Sequence, residues 1–105
     1  MGYRSDVVIA ISKTIATQDL LTQTIPKCVH KLEKSIKDIG IFYFIEGWKW
    51  SDVYPDVDEI INWFDSMDSN QFGARRLGEE PSDTEEWGSP EDFDIYIRTY
   101  IEYPD

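Results

Sequence analysis

A chain of 105 residues, of which 41% are hydrophobic and 14% aromatic, is long enough for one domain with its own core and too rich in aromatic side chains for a disordered segment. Its net charge of −11 is unevenly spread: residues 1–51 carry seven Lys/Arg and five Asp/Glu (+2), and residues 52–105 carry three Arg and sixteen Asp/Glu (−13). Because the cations are few and scattered, direct binding to nucleic acid or to an anionic membrane is disfavoured, and a basic protein is the natural partner.

The chain shows no sign of export or membrane insertion. No apolar run approaches the roughly 18 residues of a membrane span. The first residues, MGYRSDVV, lack the cationic and apolar regions of a signal peptide. Cys28 is the only cysteine, so no disulfide within the chain and no cysteine metal cage is expected. We therefore expect a single domain over residues 1–105 that resides in the cytoplasm.

The first half predicts a strand followed by helix. Residues 6–11, DVVIAI, are apolar on both faces, which is typical of a strand that is central or covered on both sides. Thr17 is suited to cap a short helix, and Pro26 to open a second one. Apolar residues at three- and four-residue steps predict that this second helix runs to Gly40; they are Ile25, Val29, Leu32, Ile36 and Ile39. The lysines at 27, 31, 34 and 37 lie away from this stripe and indicate a solvated face.

A strong strand and a second main helix follow. Residues 41–45, IFYFI, predict a strand that continues through Trp48 and Trp50, with Gly47 as a bulge. Pro55 marks a helix start, and Asp56 and Glu59 have the spacing of a capping box. The predicted buried stripe of this helix comprises Val57, Ile60, Ile61, Phe64 and Met67.

Three strands are predicted in the last third. Residues 72–77 form one, a short one lies near Glu86 and Trp87, and residues 93–102 alternate apolar and polar side chains as a strand does. The predicted fold is α+β: a mixed, mainly antiparallel sheet of four to five strands with two main helices packed on one face. The predicted single core contains Val7, Ile9, Ile11, Ile36, Ile45, Ile60, Ile61, Phe64, Ile95 and Ile97.

Residues that carry enzyme chemistry are sparse. Cys28 and His30 are two positions apart, so on one helix they point to different sides and make no nucleophile–base pair. With one histidine, a serine triad or a histidine-based metal site is disfavoured. We therefore expect no enzyme activity, no catalytic or metal site and no cofactor.

The acidic segment, residues 79–94, holds eight carboxylates and no basic residue. One interpretation is a solvated loop that limits aggregation. The other is a charge pattern that imitates a phosphate backbone, on which duplex DNA carries one charge per ~1.7 Å. Trp87 lies among the acids, where it either anchors a partner or packs down to pin the segment.

Tyr96 and Tyr100 flank Arg98 on the polar face of the last predicted strand. This composition is common in contact surfaces, and cross-strand packing is the alternative. The candidate partner-binding residues are Glu79, Glu80, Asp83, Glu85, Glu86, Trp87, Glu91, Asp92, Tyr96, Arg98 and Tyr100. The acidic surface of residues 79–94, which also includes Asp94, is helped by Asp52, Asp56, Asp58, Asp65 and Asp68.

Three stretches, GYRSDVVIAI, GWKW and DIYIRTYIEY, resemble a group of small acidic bacteriophage proteins of unassigned function. The resemblance implies a phage product in the host cytoplasm, and many such products inhibit host restriction, CRISPR or DNA-repair enzymes. It transfers no functional residue. The expected function is a non-enzymatic inhibitor that binds the basic surface of a host nucleic-acid-handling protein, by DNA mimicry or otherwise. The alternative is a phage accessory or assembly protein that acts through a homodimer or a phage partner.

Overall fold

The computed structural model describes residues 4–22, 25–50, 54–80, 82–97 and 101–102. The elements in chain order are β1 (Arg4–Ile11), α1 (Lys13–Thr22), α2 (Lys27–His30), β2 (Glu33–Lys37), β3 (Gly40–Lys49), α3 (Pro55–Ser66), β4 (Phe72–Leu77), β5 (Thr84–Gly88), a 3-10 helix (Pro90–Phe93), β6 (Tyr96–Ile97) and β7 (Ile101–Glu102). The predicted α+β class is confirmed. None of the described helices is long and apolar enough to cross a membrane.

Five strands form one sheet in the order β2-β3-β1-β4-β5, and every pairing in it is antiparallel. The central place belongs to β1, as its two apolar faces predict. Residues Val7 to Ile11 are fully buried, because the sheet is covered on both sides.

One face of the sheet is covered by helices. Ile15 and Ala16 of α1 pack on this face, and so does the apolar stripe of α3. Phe64 of α3 stacks on Phe72 of β4 with ring centroids 5.1 Å apart. Two main helices thus pack on one face, as predicted, but the first of them is α1 and not the helix predicted to run to Gly40. The fully or nearly buried members of this core are Val7, Ile9, Ile11, Ile25, Val29, Tyr43, Ile45, Ile60, Trp63, Phe64, Phe72 and Ala74.

The opposite face is covered by the end of the chain. Phe93 makes an edge-to-face contact with Phe42 at 6.4 Å between ring centroids. Ile95 and Ile101 pack with it against Val8. Two cores, one on each side of the sheet, thus replace the single predicted core.

The strand predicted over residues 93–102 is wrong in its extent. Its beginning belongs to the 3-10 helix, and Asp94 then adopts a left-handed conformation with φ of 57°. Aspartate tolerates this conformation, so the chain turns there before β6 pairs with β7 in a separate two-stranded sheet. The side chain of Ile97 and residues 98–100 lie outside the described part of the chain.

The helix predicted up to Gly40 is also wrong. Only α2 is helical; the following residues form β2, and a two-residue turn at Asp38 and Ile39 leads into β3. Ile36, predicted to be in the core, is 68% exposed. Pairing with β3 satisfies the backbone of this run and overrides its helical spacing. Gly40 begins β3 rather than ending a helix, and a Cβ there would lie 2.5 Å from the Ile11 carbonyl oxygen.

The start of α1 differs from the prediction, and the start of α2 agrees with it. Ser12 caps α1, since its Oγ accepts a hydrogen bond from the Ile15 N–H at 3.3 Å. Thr17, the predicted cap, lies within α1 and donates to the Lys13 carbonyl oxygen. α2 follows Pro26, as predicted.

α3 begins at Pro55, as predicted, but without a capping box. No side chain caps it, and Asp56 and Asp58 stabilise its first turn only through the helix dipole. Of its predicted stripe, Ile61 and Met67 are only partly buried, and Trp63 is buried in addition. In β3, the bulge predicted at Gly47 is confirmed: its φ is 66°, and the β1–β3 register shifts opposite it.

Candidate protein-binding surface

The order of the sheet places the strand of the acidic segment, β5, at one outer side. β1, β2 and β3 come from the half with net charge +2, and they occupy the centre and one side. β4 and β5 come from the half with net charge −13, and they occupy the other side. Folding thus gives the described part of the molecule an acidic end at β5. The acids at the start of α3 lie elsewhere, because Asp56 and Glu59 line a concave surface with Lys27 and Lys31 of the first half.

Arg76 organises one cluster of carboxylates at the acidic end. The residue is 6% exposed and lies on the helix-covered face of β4. Its Nε donates to Glu85 at 2.8 Å, and its Nη2 donates to Asp83 at 2.6 Å. Its Nη1 donates to Ser5 Oγ at 2.9 Å. A buried guanidinium is tolerated here because its donors reach acceptors in this way. The hydrogen bond from Arg76 holds the pKa of Asp83 below its usual range.

Arg75 organises a second cluster on the opposite face. Its Nε donates to the Ile95 carbonyl oxygen at 2.8 Å, its Nη2 donates to Glu91 at 3.0 Å, and its Nη1 is paired with Glu86. The guanidinium thus ties β5 and the 3-10 helix to β4. Glu86 and Glu91 each keep 58% of their side chain exposed. Both carboxylates are therefore fixed in position and still open to a partner.

Four of the eight carboxylates in the acidic segment are thus paired with arginines: Asp83, Glu85, Glu86 and Glu91. Glu79 accepts a hydrogen bond from the backbone N–H of Arg4 at 3.0 Å. Glu80, Asp92 and Asp94 are exposed, and no ion pair within the described residues involves them. Eight carboxylates and two arginines give this surface a net charge of −6, so it is acidic but less dense in charge than the sequence implied.

Trp87 points into the molecule. It lies opposite Ala74 on the helix-covered face and packs between Phe64 and Trp50, with centroid distances of 5.3 and 5.7 Å. Trp48 in turn contacts Trp50 edge-to-face. Of the two roles predicted for Trp87, packing that pins the segment is the one that these contacts account for.

Some of the other candidate residues are exposed, and some lie outside the described part of the chain. Tyr96 is 46% exposed on β6. Asp56, Asp58, Asp65 and Asp68 are exposed on and just after α3. Asp52, Arg98 and Tyr100 lie outside the described residues.

Cys28 and His30 have separate surroundings, as their spacing predicts. His30 Nε2 lies 3.0 Å from the carboxylate of Asp19, which also accepts from the Ile25 N–H. The Cys28 thiol faces the start of α3, where its Sγ lies 3.9 Å from the Asp56 carbonyl oxygen. Burial raises the pKa of Cys28, and the negative charges of Asp56 and Glu59 raise it further.

Within the described residues, one group of three donors is close enough to hold a metal ion: Cys28, Asp56 and Glu59, whose ligand atoms lie within 4.8 Å of one another. Sequence reasoning missed this group because its members come from α2 and α3. A structural zinc site needs four ligands, so the group is incomplete for that purpose. Lys27 and Lys31 line the same concave surface, which disfavours a cation.

The arginine clusters were also missed, although a signal existed. The pair Arg75-Arg76 and the pair Glu85-Glu86 lie on adjacent strands, and the register sets Arg75 opposite Glu86 and Arg76 opposite Glu85. Opposite charges in such positions attract. Comparison with known proteins gives this chain no family: no family model, no curated protein and no solved structure matches it.

Proposed function

We propose that this chain is a non-enzymatic binding protein whose acidic end docks onto the basic surface of a nucleic-acid-handling protein and inhibits it. The observation that carries the proposal is the gathering of eight carboxylates around β4, β5 and the 3-10 helix, where two arginines leave a net charge of −6. The negative field of this surface steers a basic partner to that end.

The arginine clusters support this function in a second way. Arg75 and Arg76 hold carboxylates at defined positions on both faces of the β4–β5 edge, and Glu85 still has 50% of its side chain exposed. Acceptors that are fixed before binding lose little conformational entropy when a partner arrives. The surface then offers lysines and arginines anionic oxygens that are fixed in position, as a phosphate backbone does.

The resemblance to bacteriophage proteins supplies the setting for the proposal. In that setting the partner is a host defence or repair protein, and the chain keeps nucleic acid away from it. We define the partner by its chemistry and not by name: it is a protein with a basic groove that otherwise holds nucleic acid.

Competition with duplex DNA tests the proposal. The chain is immobilised, incubated with nuclease-treated bacterial lysate, washed, and eluted with duplex DNA at constant salt. An unrelated acidic protein of similar net charge serves as the control for simple ion exchange. We expect duplex DNA to release a nucleic-acid-binding protein that the control does not retain. If duplex DNA releases nothing beyond what the control releases, the proposed function is wrong.

A further inference from the structure

The outer edge of β2 is unpaired within the described residues. An exposed edge presents backbone N–H and C=O groups that readily accept another strand. Ile36 on this strand is 68% exposed, and Ile39 in the following turn is 43% exposed. Among the described residues, the large aliphatic side chains that are exposed thus both lie on or beside this edge.

The hairpin register shows which backbone groups are free. Lys37 pairs with Gly40 across the two-residue turn, and such turns are closed by a hydrogen-bonded pair. Because hydrogen-bonded and non-hydrogen-bonded pairs alternate, Glu33, Ser35 and Lys37 direct their backbone groups to β3. Lys34 and Ile36 therefore direct theirs to the open edge.

These two residues fix a register in which the edge can pair with itself. In an antiparallel pair centred on Ser35, Lys34 of one copy and Ile36 of the other exchange backbone hydrogen bonds. The same register sets Glu33 opposite Lys37 of the other copy, and the symmetry repeats this contact. The Glu33–Lys37 contact and its symmetry-related copy are non-hydrogen-bonded pairs, in which side chains approach most closely. Two opposite-charge contacts therefore flank the axis.

The helix-covered side of the edge offers apolar surface for the second copy. A groove of about 340 Å³ lies there, lined by side chains that include Ile36, Ile41 and Tyr43. In the Ser35-centred register, the Lys34 stem and Ile36 of the second copy lie over its rim. Pairing would therefore remove exposed Ile36 from water on both copies.

Net charge does not oppose this arrangement strongly. β2 is separated from β5 by four strand spacings, or about 19 Å, which exceeds the Debye length of about 8 Å at physiological salt. The acidic ends of two copies joined at β2 lie farther apart still. Repulsion between them is largely screened.

We propose that β2 is the interface of a homodimer, in which two copies pair antiparallel about Ser35 and join their sheets into one. The dimer places an acidic end at each outer side. A five-residue strand pair is smaller than a standard protein interface, so we expect the dimer to dissociate in the micromolar range.

Charge reversal tests the interface and its register. Sedimentation equilibrium is measured for the unmodified chain, Glu33→Lys, Lys37→Glu and the double variant. Each single reversal sets like charges opposite each other twice and should raise the dimer dissociation constant about tenfold. The double variant restores opposite pairs and should restore the dimer. Glu46→Lys, an exposed reversal on β3 away from the edge, is the control and should leave association unchanged.

A crosslink checks the same geometry independently. In a Cys28→Ser background, Ser35→Cys sets two thiols across the axis, where the Cα separation of about 4.5 Å suits a disulfide. We expect rapid oxidation to a covalent dimer, and much slower oxidation of Glu46→Cys. A chain that stays monomeric at hundreds of micromolar, or a dimer indifferent to the single reversals, would overturn the proposal. Neither result bears on the acidic end, because both assays use the isolated chain.

Discussion

Arg76 and Asp83 form a bidentate pair, with Nη2 2.6 Å from Oδ1 and Nη1 3.3 Å from Oδ2. The pair joins β4 to the turn before β5, and Ser5 of β1 completes the contacts of the guanidinium. The same side chains that give the acidic end its charge thus also hold that end together. Stability and charge are therefore linked at this site, and variants must be chosen to separate them.

Removing the guanidinium should cost stability. Arg76→Met keeps the aliphatic stem but loses hydrogen bonds to Ser5, Asp83 and Glu85. Because the two carboxylates are about half exposed and regain water, we expect a loss of about 1–3 kcal/mol in the free energy of unfolding. Urea unfolding measures it. Arg4→Met removes an exposed arginine that donates to the Gly47 carbonyl oxygen, and this control should cost under about 0.5 kcal/mol.

The Arg76–Asp83 pair should also make the free energy of unfolding depend on pH in the acid range. Since the folded state lowers the pKa of Asp83, the pair contributes its stability above the pKa of an unfolded aspartate, about 3.9, and loses it as the pH falls through the lower folded value. The difference in unfolding free energy between the unmodified chain and Asp83→Asn should be constant near neutral pH and should shrink towards zero in acid. Asp92→Asn controls for the loss of one charge. A difference that persists unchanged to the lowest pH would contradict the assignment.

Cys28 should react slowly with alkylating reagents at neutral pH. Burial and the charges of Asp56 and Glu59 raise its pKa, so little thiolate is present. The midpoint of the pH–rate profile for iodoacetamide should lie above that of a cysteine peptide and move down in Asp56→Asn. Asp58→Asn removes a charge from the same helix outside the cluster and should move it less. Equal shifts in both variants would show that only net charge matters.

Two isoleucines of the β2–β3 hairpin test the corrected core. Ile45 is 6% exposed and Ile36 is 68% exposed, although the sequence predicts both to be buried. Ile45→Ala should cost about 2–5 kcal/mol, and Ile36→Ala under about 1 kcal/mol. The unfolding free energies are to be compared at concentrations that favour the monomer. Similar losses of stability at both positions would indicate that Ile36 is buried in the core, and would contradict the structure.

The strands were predicted well where burial alone decides them. β1 is apolar on both faces because it is central, and no other place in a sheet suits that pattern. β2 shows the opposite case. Its exposed edge position imposes no alternation, so chance spacing of Ile36 and Ile39 produced a helical pattern, and only pairing with β3 determines the structure.

The sequence identifies the acidic segment but not how its carboxylates are held in place. The acids of residues 79–94 are dense enough to identify from the sequence. Their pairing with Arg75 and Arg76 depends on the β4–β5 register. A shift of that register by one residue would move every side chain of β5 to the opposite face of the sheet. The inward direction of Trp87 depends on the same register.

The central claim is that the acidic end steers a basic partner, and association kinetics tests it most directly. The partner released by duplex DNA is measured by surface plasmon resonance at low and high salt. The bait is the unmodified chain or Glu80→Gln/Asp92→Asn, which removes two exposed charges at that end that form no ion pair within the described residues. Asp38→Asn/Glu46→Gln removes two exposed charges from the other half and is the matched control. We predict that the first double variant associates several-fold more slowly at low salt, with a weaker salt dependence, while the control resembles the unmodified chain. Equal association rates for both variants would contradict the claim.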